Sequence, residues 1–274
     1  MLNTSSFNFF ICPILSQHSN YQKPLTFTTT SLYDSLVIIP TYNERENIAK
    51  MIETVFSFEK PFHILIVDDG SPDGTALIVK DLQKQYPSQL HLLERSGKLG
   101  LGTAYIAGFK WGLQKEYDYI FEMDCDFSHN PKDLLRLYEA CKNGADLAVG
   151  SRYVSGGKCE NWPIDRQILS YGASLYVRAI TWMWVKDPTA GFICYNRNVL
   201  KTIDLDSIKF VGYAFQIEMK YAAHTLGFKI TEVPITFIDR LEGVSKMSKG
   251  IVKEAVIGIL HLKRRGLFGS WRNV

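Results

Sequence analysis

Two kinds of metal site are missing from this sequence. None of the five cysteines (Cys12, Cys125, Cys141, Cys159, Cys194) stands at zinc-holding spacing, and the six histidines show no ligand spacing either. An odd cysteine count without a framework reads as reduced thiols in a cytosolic protein. No Walker A sequence and no dinucleotide fingerprint occur. The three glycines between Gly97 and Gly102 read as a plain loop before a helix. No apolar run is long enough to span a membrane. The nearest, Ile168 to Val185, contains Arg178. The apolar patch from Phe7 to Leu15 has no basic residue before it and is broken by Cys12 and Pro13, which excludes a signal peptide. Strong charge is absent too. A net charge of +3 gives no argument for a nucleic-acid partner. No internal repeat is evident.

What is present is an ordinary globular composition, 46% hydrophobic and 22% charged, in a chain long enough for a sizeable core. Residues 1–34, rich in Ser, Thr, Asn and Gln, read as a disordered leader. From Leu36 onward short apolar runs alternate with amphipathic segments. Strands are expected at Leu36–Ile39, Ile64–Val67, Leu90–Leu93, Tyr119–Met123 and Asp146–Val149. Helices are expected after each of the first four, the first capped at Asn43 with Glu46 three residues on. Gly156–Ile168 reads as irregular. A helix at Phe215–Leu226 and a strand at Lys229–Val233 follow. The alternation indicates an α/β fold, a mostly parallel central sheet with helices on both faces. The main domain is placed at residues 35–250, with an amphipathic tail at 251–274.

Polar clusters follow the strands, where open α/β sheets bind ligands. Asp124 and Asp126, two apart on an extended strand, would point to one side and could hold a hard divalent cation with substrate phosphates. The same residues could instead be a solvated strand end. Asp68 and Asp69 could accept hydrogen bonds from a base or ribose, or simply form the turn that Asp-Gly-Ser-Pro-Asp-Gly encodes. Arg152, Arg166, Arg240 and Lys246 lie near element ends, and arginine is a natural partner for phosphate. His129 stands close to the Asp pair and reads as a loop residue.

These motifs, taken in order, carry a resemblance. Pro40-Thr41-Tyr42-Asn43-Glu44 and Val67-Asp68-Asp69-Gly70-Ser71-Pro72-Asp73-Gly74-Thr75 resemble the opening of family 2 glycosyltransferases. Lys98 to Tyr105, Met123 to His129, Gly150 to Tyr153, Gly212 to Met219 and Glu232 to Ile235 narrow it to the polyprenyl-phosphate (dolichyl-phosphate) mannose synthase group, from about Leu36 to Lys249. The resemblance implies a GT-A type nucleotide-diphospho-sugar transferase fold, a GDP-mannose donor, Mg2+ or Mn2+, and a polyprenyl phosphate acceptor. It implies nucleotide contacts at Pro40, Tyr42, Glu44, Val67, Asp69, Asp124 and the backbone of Cys125. Asp124, Asp126 and Ser128 would form the metal site. Arg152, Arg240 and Lys246 would join Asp126 in catalysis, through phosphate contacts, and Arg166 with Ser170 would face the acceptor phosphate. Two positions depart from the pattern: Cys125 replaces the usual Ala between the aspartates, and Tyr171 stands where an Arg often follows Ser170.

A phosphate monoester is already anionic near neutral pH, so it needs no dedicated base to attack the sugar carbon. A single inverting displacement is expected. Aromatic residues in Leu169–Val185, and basic residues following apolar ones in the tail, suit a helix lying in a membrane interface, or one packed on the core. The expected location is the inner face of the cytoplasmic membrane, with peripheral contact and room for a membrane-protein partner. Rival readings are a UDP-sugar donor on the same fold, a sugar nucleotidyltransferase, and a non-catalytic partner subunit.

Overall fold

The computed structural model describes residues 33–212, 214–239, 258–266 and 271–273. The expected leader falls almost wholly outside these, as do Arg240, Lys246 and the start of the tail. The strands are β1 (Ser35–Thr41), β2 (His63–Asp68), β3 (Leu90–Glu94), β4 (Tyr119–Glu122), β5 (Leu147–Ser151), β6 (Lys158–Glu160), β7 (Ile193–Asn196), β8 (Ile230–Pro234) and β9 (Thr236–Ile238). Seven form one sheet in the order β3-β2-β1-β4-β7-β5-β8, and β6 pairs with β9. All pairings are parallel except those of β7 with β4 and β5.

The sequence of β1 explains how the sheet is covered. Its apolar run is buried throughout, as a strand covered on both faces requires. Side chains alternate between faces. Leu36 and Ile38 enter one core, together with residues of α3 (Leu101–Gln114) and α7 (Ala214–Thr225). Val37 and Ile39 enter the other, with α1 (Ile48–Phe56), α2 (Thr75–Gln83) and α4 (Asp133–Lys142). Each fully buried Leu, Ile or Phe contributes roughly 1.5–3 kcal/mol. Helix α3 lies unusually close to the sheet. A Cβ on Gly108 would stand 2.7 Å from Ile38, and one on Gly112 would stand 2.9 Å from Leu36 and Ile120.

Several expectations are corrected. Asn43 does not cap α1. Its φ is +60°, its N–H binds Ser71, and the residue flanking the helix is Asn47. The Gly156–Ile168 stretch is not wholly irregular: it holds β6 and opens α5 (Ile164–Thr181) after Pro163. A three-residue strand and a helix with an exposed apolar face give little periodic signal. The antiparallel β7 was not anticipated, because periodicity carries no information on direction. The described part of the tail packs on the main domain: Ile259, Leu262 and Trp271 belong to its core, and Asp204 N–H donates to the Trp271 carbonyl. Among the described residues no helix is long and apolar enough to cross a membrane.

Candidate active site

Strand order reverses beside β1, with β2 and β3 following on one side and β4 on the other. In open α/β sheets such a switch point forms a ligand crevice outside the carboxyl ends of the strands. The loops after β1 and β2 meet there and are laced together. Asp68 accepts from the Thr41 hydroxyl at 2.8 Å and the Ser71 hydroxyl at 2.6 Å. Ser71 Oγ accepts the Asn43 N–H, Thr75 Oγ1 the Glu44 N–H, and Asp73 the Arg45 N–H. These bonds hold Tyr42 and Glu44 over the β2 loop, while Pro40 and Val67 face each other in register. Asp68 is therefore a loop-building residue.

Asp69 has both oxygens engaged: Arg95 Nε donates to one at 2.6 Å, and the Leu99 N–H to the other at 3.2 Å. Arg95 also donates to Thr103 Oγ1. A nucleobase reaching Asp69 would meet this cluster, not an isolated carboxylate. Arg95 went unnoticed in the sequence because a lone arginine after a strand carries no local signal. The glycines from Gly97 to Gly102 do more than form a loop. Gly70 backs onto Gly97, and a Cβ on Gly102 would come within 2.6 Å of the Phe210 carbonyl. Lys98 extends over the Tyr42 ring, 4.8 Å from its centroid.

Strand β4 ends at Glu122, so Asp124 and Asp126 lie past it, and pleat alternation does not set their directions. A turn does. Phe127 takes φ +58°, and the Ser128 N–H binds Asp126 Oδ1 at 2.9 Å. Ser128 is buried, and its carbonyl accepts the Ile238 N–H. The buried His129 ring stacks on Phe192, with Nδ1 at 4.0 Å from Asp124 Oδ2. The Cys125 side chain is buried. Desolvation first, then Glu44, Asp126 and Asp124, push its thiol well above the usual value, so it stays neutral. Among the described residues no three His, Cys, Asp or Glu side chains converge as a metal site. The two partly exposed aspartates therefore fit only a cation that shares its oxygens with a bound diphosphate, the usual habit of Mg2+-type ions.

Because β7 runs antiparallel, the segment before it, Asp187–Gly191, reaches the same sheet edge as Arg152 after β5. Arg152 Nε and Nη2 each donate to Asp187 at 2.7 Å, and Nη2 also to Thr189. Burial pushes the Asp187 carboxyl up, but the charge and hydrogen bonds of Arg152 outweigh it and leave the group below its usual value. A phosphate reaching Arg152 would share it with Asp187. Arg166 donates to both oxygens of Asp239 at 2.8 Å and lies 4.1 Å from the centroid of the Trp162 ring. Ser170 Oγ accepts from the Tyr153 hydroxyl at 2.7 Å. Arg166 and Ser170 thus share α5, on the Arg152 side of the site. Arg240 and Lys246 lie outside the described residues, though Asp239 immediately precedes Arg240.

Under the aspartates lies a buried polar floor. Glu122 accepts from Tyr195 at 2.8 Å and from Gln216. Burial raises its carboxyl to about 7, against the opposing pull of Gln216, Lys220 and Tyr195. Lys220 Nζ donates to the Ala190 carbonyl at 2.5 Å and the Gln216 carbonyl at 3.0 Å, and burial lowers its pKa to about 8. This floor ties the Asp187–Gly191 segment to α7.

A mostly parallel sheet covered on both faces, with an acidic pair at its switch point and arginines across the same edge, is an architecture suited to a phosphorylated nucleotide ligand. The model of glycosyl transferase family 2 matches residues 36–204, and the chain belongs to that family. It is 47% identical over 240 residues to the polyprenol monophosphomannose synthase of Mycolicibacterium smegmatis, covering 88% of this chain and 91% of that one. It is 46% identical over 239 residues to the undecaprenyl-phosphate mannosyltransferase of Micrococcus luteus, covering 87% and 96%. Among solved structures it is similar in fold to glucosyl-3-phosphoglycerate synthase from Mycobacterium tuberculosis, in complex with Mn2+, UDP and glucosyl-3-phosphoglycerate. There the TM-score is 0.59 at 17% identity, covering 84% of this chain and 79% of that one.

Proposed function

We propose that this enzyme transfers mannose from GDP-mannose to a polyprenyl phosphate by a single inverting displacement. The observation that carries this reading is the 47% identity along 91% of a polyprenol monophosphomannose synthase. The geometry supports it. Pro40, Tyr42, Glu44 and Val67, with the Asp69–Arg95 pair, would seat the guanosine in the crevice beside β1. Asp124 and Asp126 would hold Mg2+ or Mn2+, which when bound offsets charge on the departing diphosphate. Arg166, Ser170, Arg240 and Lys246 would receive the acceptor phosphate, with Arg152 fixing the wall between the two sides.

The acceptor oxygen attacks the anomeric carbon, forming one C–O bond as the bond to GDP breaks. The phosphate already carries the negative charge it needs, so catalysis rests on positioning and charge stabilisation. The rival donor, a UDP-sugar, uses the same site. Incubation with GDP-mannose and a short polyprenyl phosphate, followed by NMR of the product, is expected to give a β-linked mannosyl phosphate. An α-linked product contradicts the displacement.

Access to a lipid acceptor follows from α5. Ile164, Ile168, Tyr171 and Leu175 recur along one exposed face, and Trp182 continues it with Lys263 Nζ over its ring at 3.7 Å. Apolar and aromatic side chains beside basic ones suit peripheral seating at the inner face of the cytoplasmic membrane. Flotation with anionic liposomes is expected to carry the protein upward, and Ile168→Asp to reduce the floated fraction several-fold. Equal flotation of both proteins counts against this seating.

A further inference from the structure

Arg265 lies on a helical stretch of the tail, residues 258–266, outside the part of the chain that the family model matches. Its Nη1 donates to Glu218 Oε1 at 3.0 Å and to the Ser207 carbonyl at 2.7 Å, and its guanidinium lies 3.8 Å from the centroid of the Trp271 ring. Glu218, on α7, is only 1% exposed. A buried carboxylate is costly unless its charge is both paired and hydrogen-bonded. Glu218 meets both conditions. Oε1 takes Arg265, and Oε2 accepts the backbone N–H groups of Lys209 at 2.9 Å and Phe210 at 2.8 Å. One carboxylate therefore joins the tail to residues 207–212, a strap that leads into α7. A second tail contact reaches the same strap: a Cβ on Gly258 would stand 2.6 Å from the Phe210 ring.

The far side of the strap rests on the nucleotide side of the site. The Val211 carbonyl accepts the Gly102 N–H at 2.9 Å, and a Cβ on Gly100 would lie 3.0 Å from that carbonyl. Gly100 flanks the start of α3, and its carbonyl accepts from Arg95 Nη2 at 3.4 Å and from the Thr103 hydroxyl at 2.8 Å. The neighbouring Leu99 N–H donates to Asp69. Leu99 and Val211 are both exposed, so their own burial does little to hold loop and strap together. Backbone hydrogen bonds and the tail do so instead.

We propose that Arg265 is a positioning residue for the nucleotide: through Glu218 it clamps the 207–212 strap against the start of α3, and the strap keeps the Leu99 N–H and Arg95 in place on Asp69. This rests on the reading of Asp69 as a nucleotide contact. Arg265 itself touches no substrate. Without the clamp, GDP would have to order the strap and the loop before α3 on binding, and that ordering weakens affinity.

The test is GDP binding to the full chain with Mn2+ present, by isothermal titration calorimetry at a temperature where every variant is folded, together with steady-state transfer. The variants are Arg265→Met, Glu218→Gln, the two combined, Tyr138→Phe and Asp69→Ala. In Glu218→Gln the amide oxygen can still accept both backbone N–H groups, but the amide nitrogen cannot accept from Arg265. Arg265→Met and Glu218→Gln are each expected to weaken GDP binding about fivefold. The KM for GDP-mannose should rise by a similar factor, with a smaller fall in kcat. The double variant should bind no more weakly than either single one, because the pair acts as one unit. Tyr138→Phe removes a hydroxyl that donates to Asp34 at 2.7 Å, at the opposite end of β1 from the site, and is expected to leave GDP affinity unchanged. Unchanged GDP affinity in Arg265→Met overturns the proposal, as does an equal loss in Tyr138→Phe. If Asp69→Ala binds GDP as tightly as wild type, the nucleotide reading beneath the proposal falls, and that result is visible separately.

Discussion

Asp187→Ala is expected to be the most destabilising single substitution near the site, costing about 3–5 kcal/mol. Asp187 is fully buried, and Arg152, only 9% exposed, has Asp187 as its principal counter-ion. Removing the carboxylate leaves a guanidinium inside the protein with Thr189 and the rings of Tyr153, Trp162 and Phe237 around it. Rings attract a cation but do not neutralise it. For a chain of this size the melting temperature is expected to fall by about 10 °C, measured by thermal circular dichroism. The pH dependence has a definite sign. Asp187 titrates below its ordinary value of 3.8 in the folded protein, so its stabilisation is complete above that value and fades as pH falls through the lower folded one. The gap between wild type and Asp187→Ala is therefore expected to be flat from pH 5 upward and to close only in strong acid. An unchanged melting temperature contradicts the account of this pair.

Asp126→Asn is expected to leave the fold intact and to cut mannosyl transfer by about 10²–10³-fold, the scale on which loss of one charge-stabilising group acts. The side chain is only partly buried, and the Ser128 N–H that it accepts can equally be accepted by an amide oxygen. The melting temperature should therefore move little. What is lost is the second negative charge of the Asp124–Asp126 pair, without which a hard cation has poor footing. Steady-state transfer assays check this, with Mn2+ raised to test for partial rescue. Full activity in Asp126→Asn contradicts the assigned role.

The contrast between these two aspartates shows what a sequence can reveal. Asp126 follows a buried strand in a parallel-sheet pattern, and strand ends are where such sheets bind ligands, so its place could be read directly. The same logic singled out Asp68 and Asp69, because apolar runs fix the strands and the strands fix their ends, whereas Tyr42 and Glu44 came from the motif resemblance alone. Asp187 precedes a strand that runs the other way. Hydrophobic periodicity does not distinguish the two directions, so nothing local connects Asp187 with Arg152, 35 residues earlier. Arg95 was hidden for a related reason: its partner Asp69 lies on the neighbouring strand's loop, and only the assembled sheet joins them. Where side chains bond within one loop, as Asp73 does with Thr75, turn chemistry was legible; where they bond across loops, it was not.

The most direct test of the central claim is transfer of labelled sugar into the lipid fraction, with GDP-mannose and UDP-glucose offered separately, a polyprenyl phosphate acceptor, and Mn2+ or EDTA. The account predicts label from GDP-mannose only, dependent on the metal and abolished by EDTA. Label from UDP-glucose alone would contradict the donor while keeping the fold and chemistry. No label from either would contradict the enzyme itself.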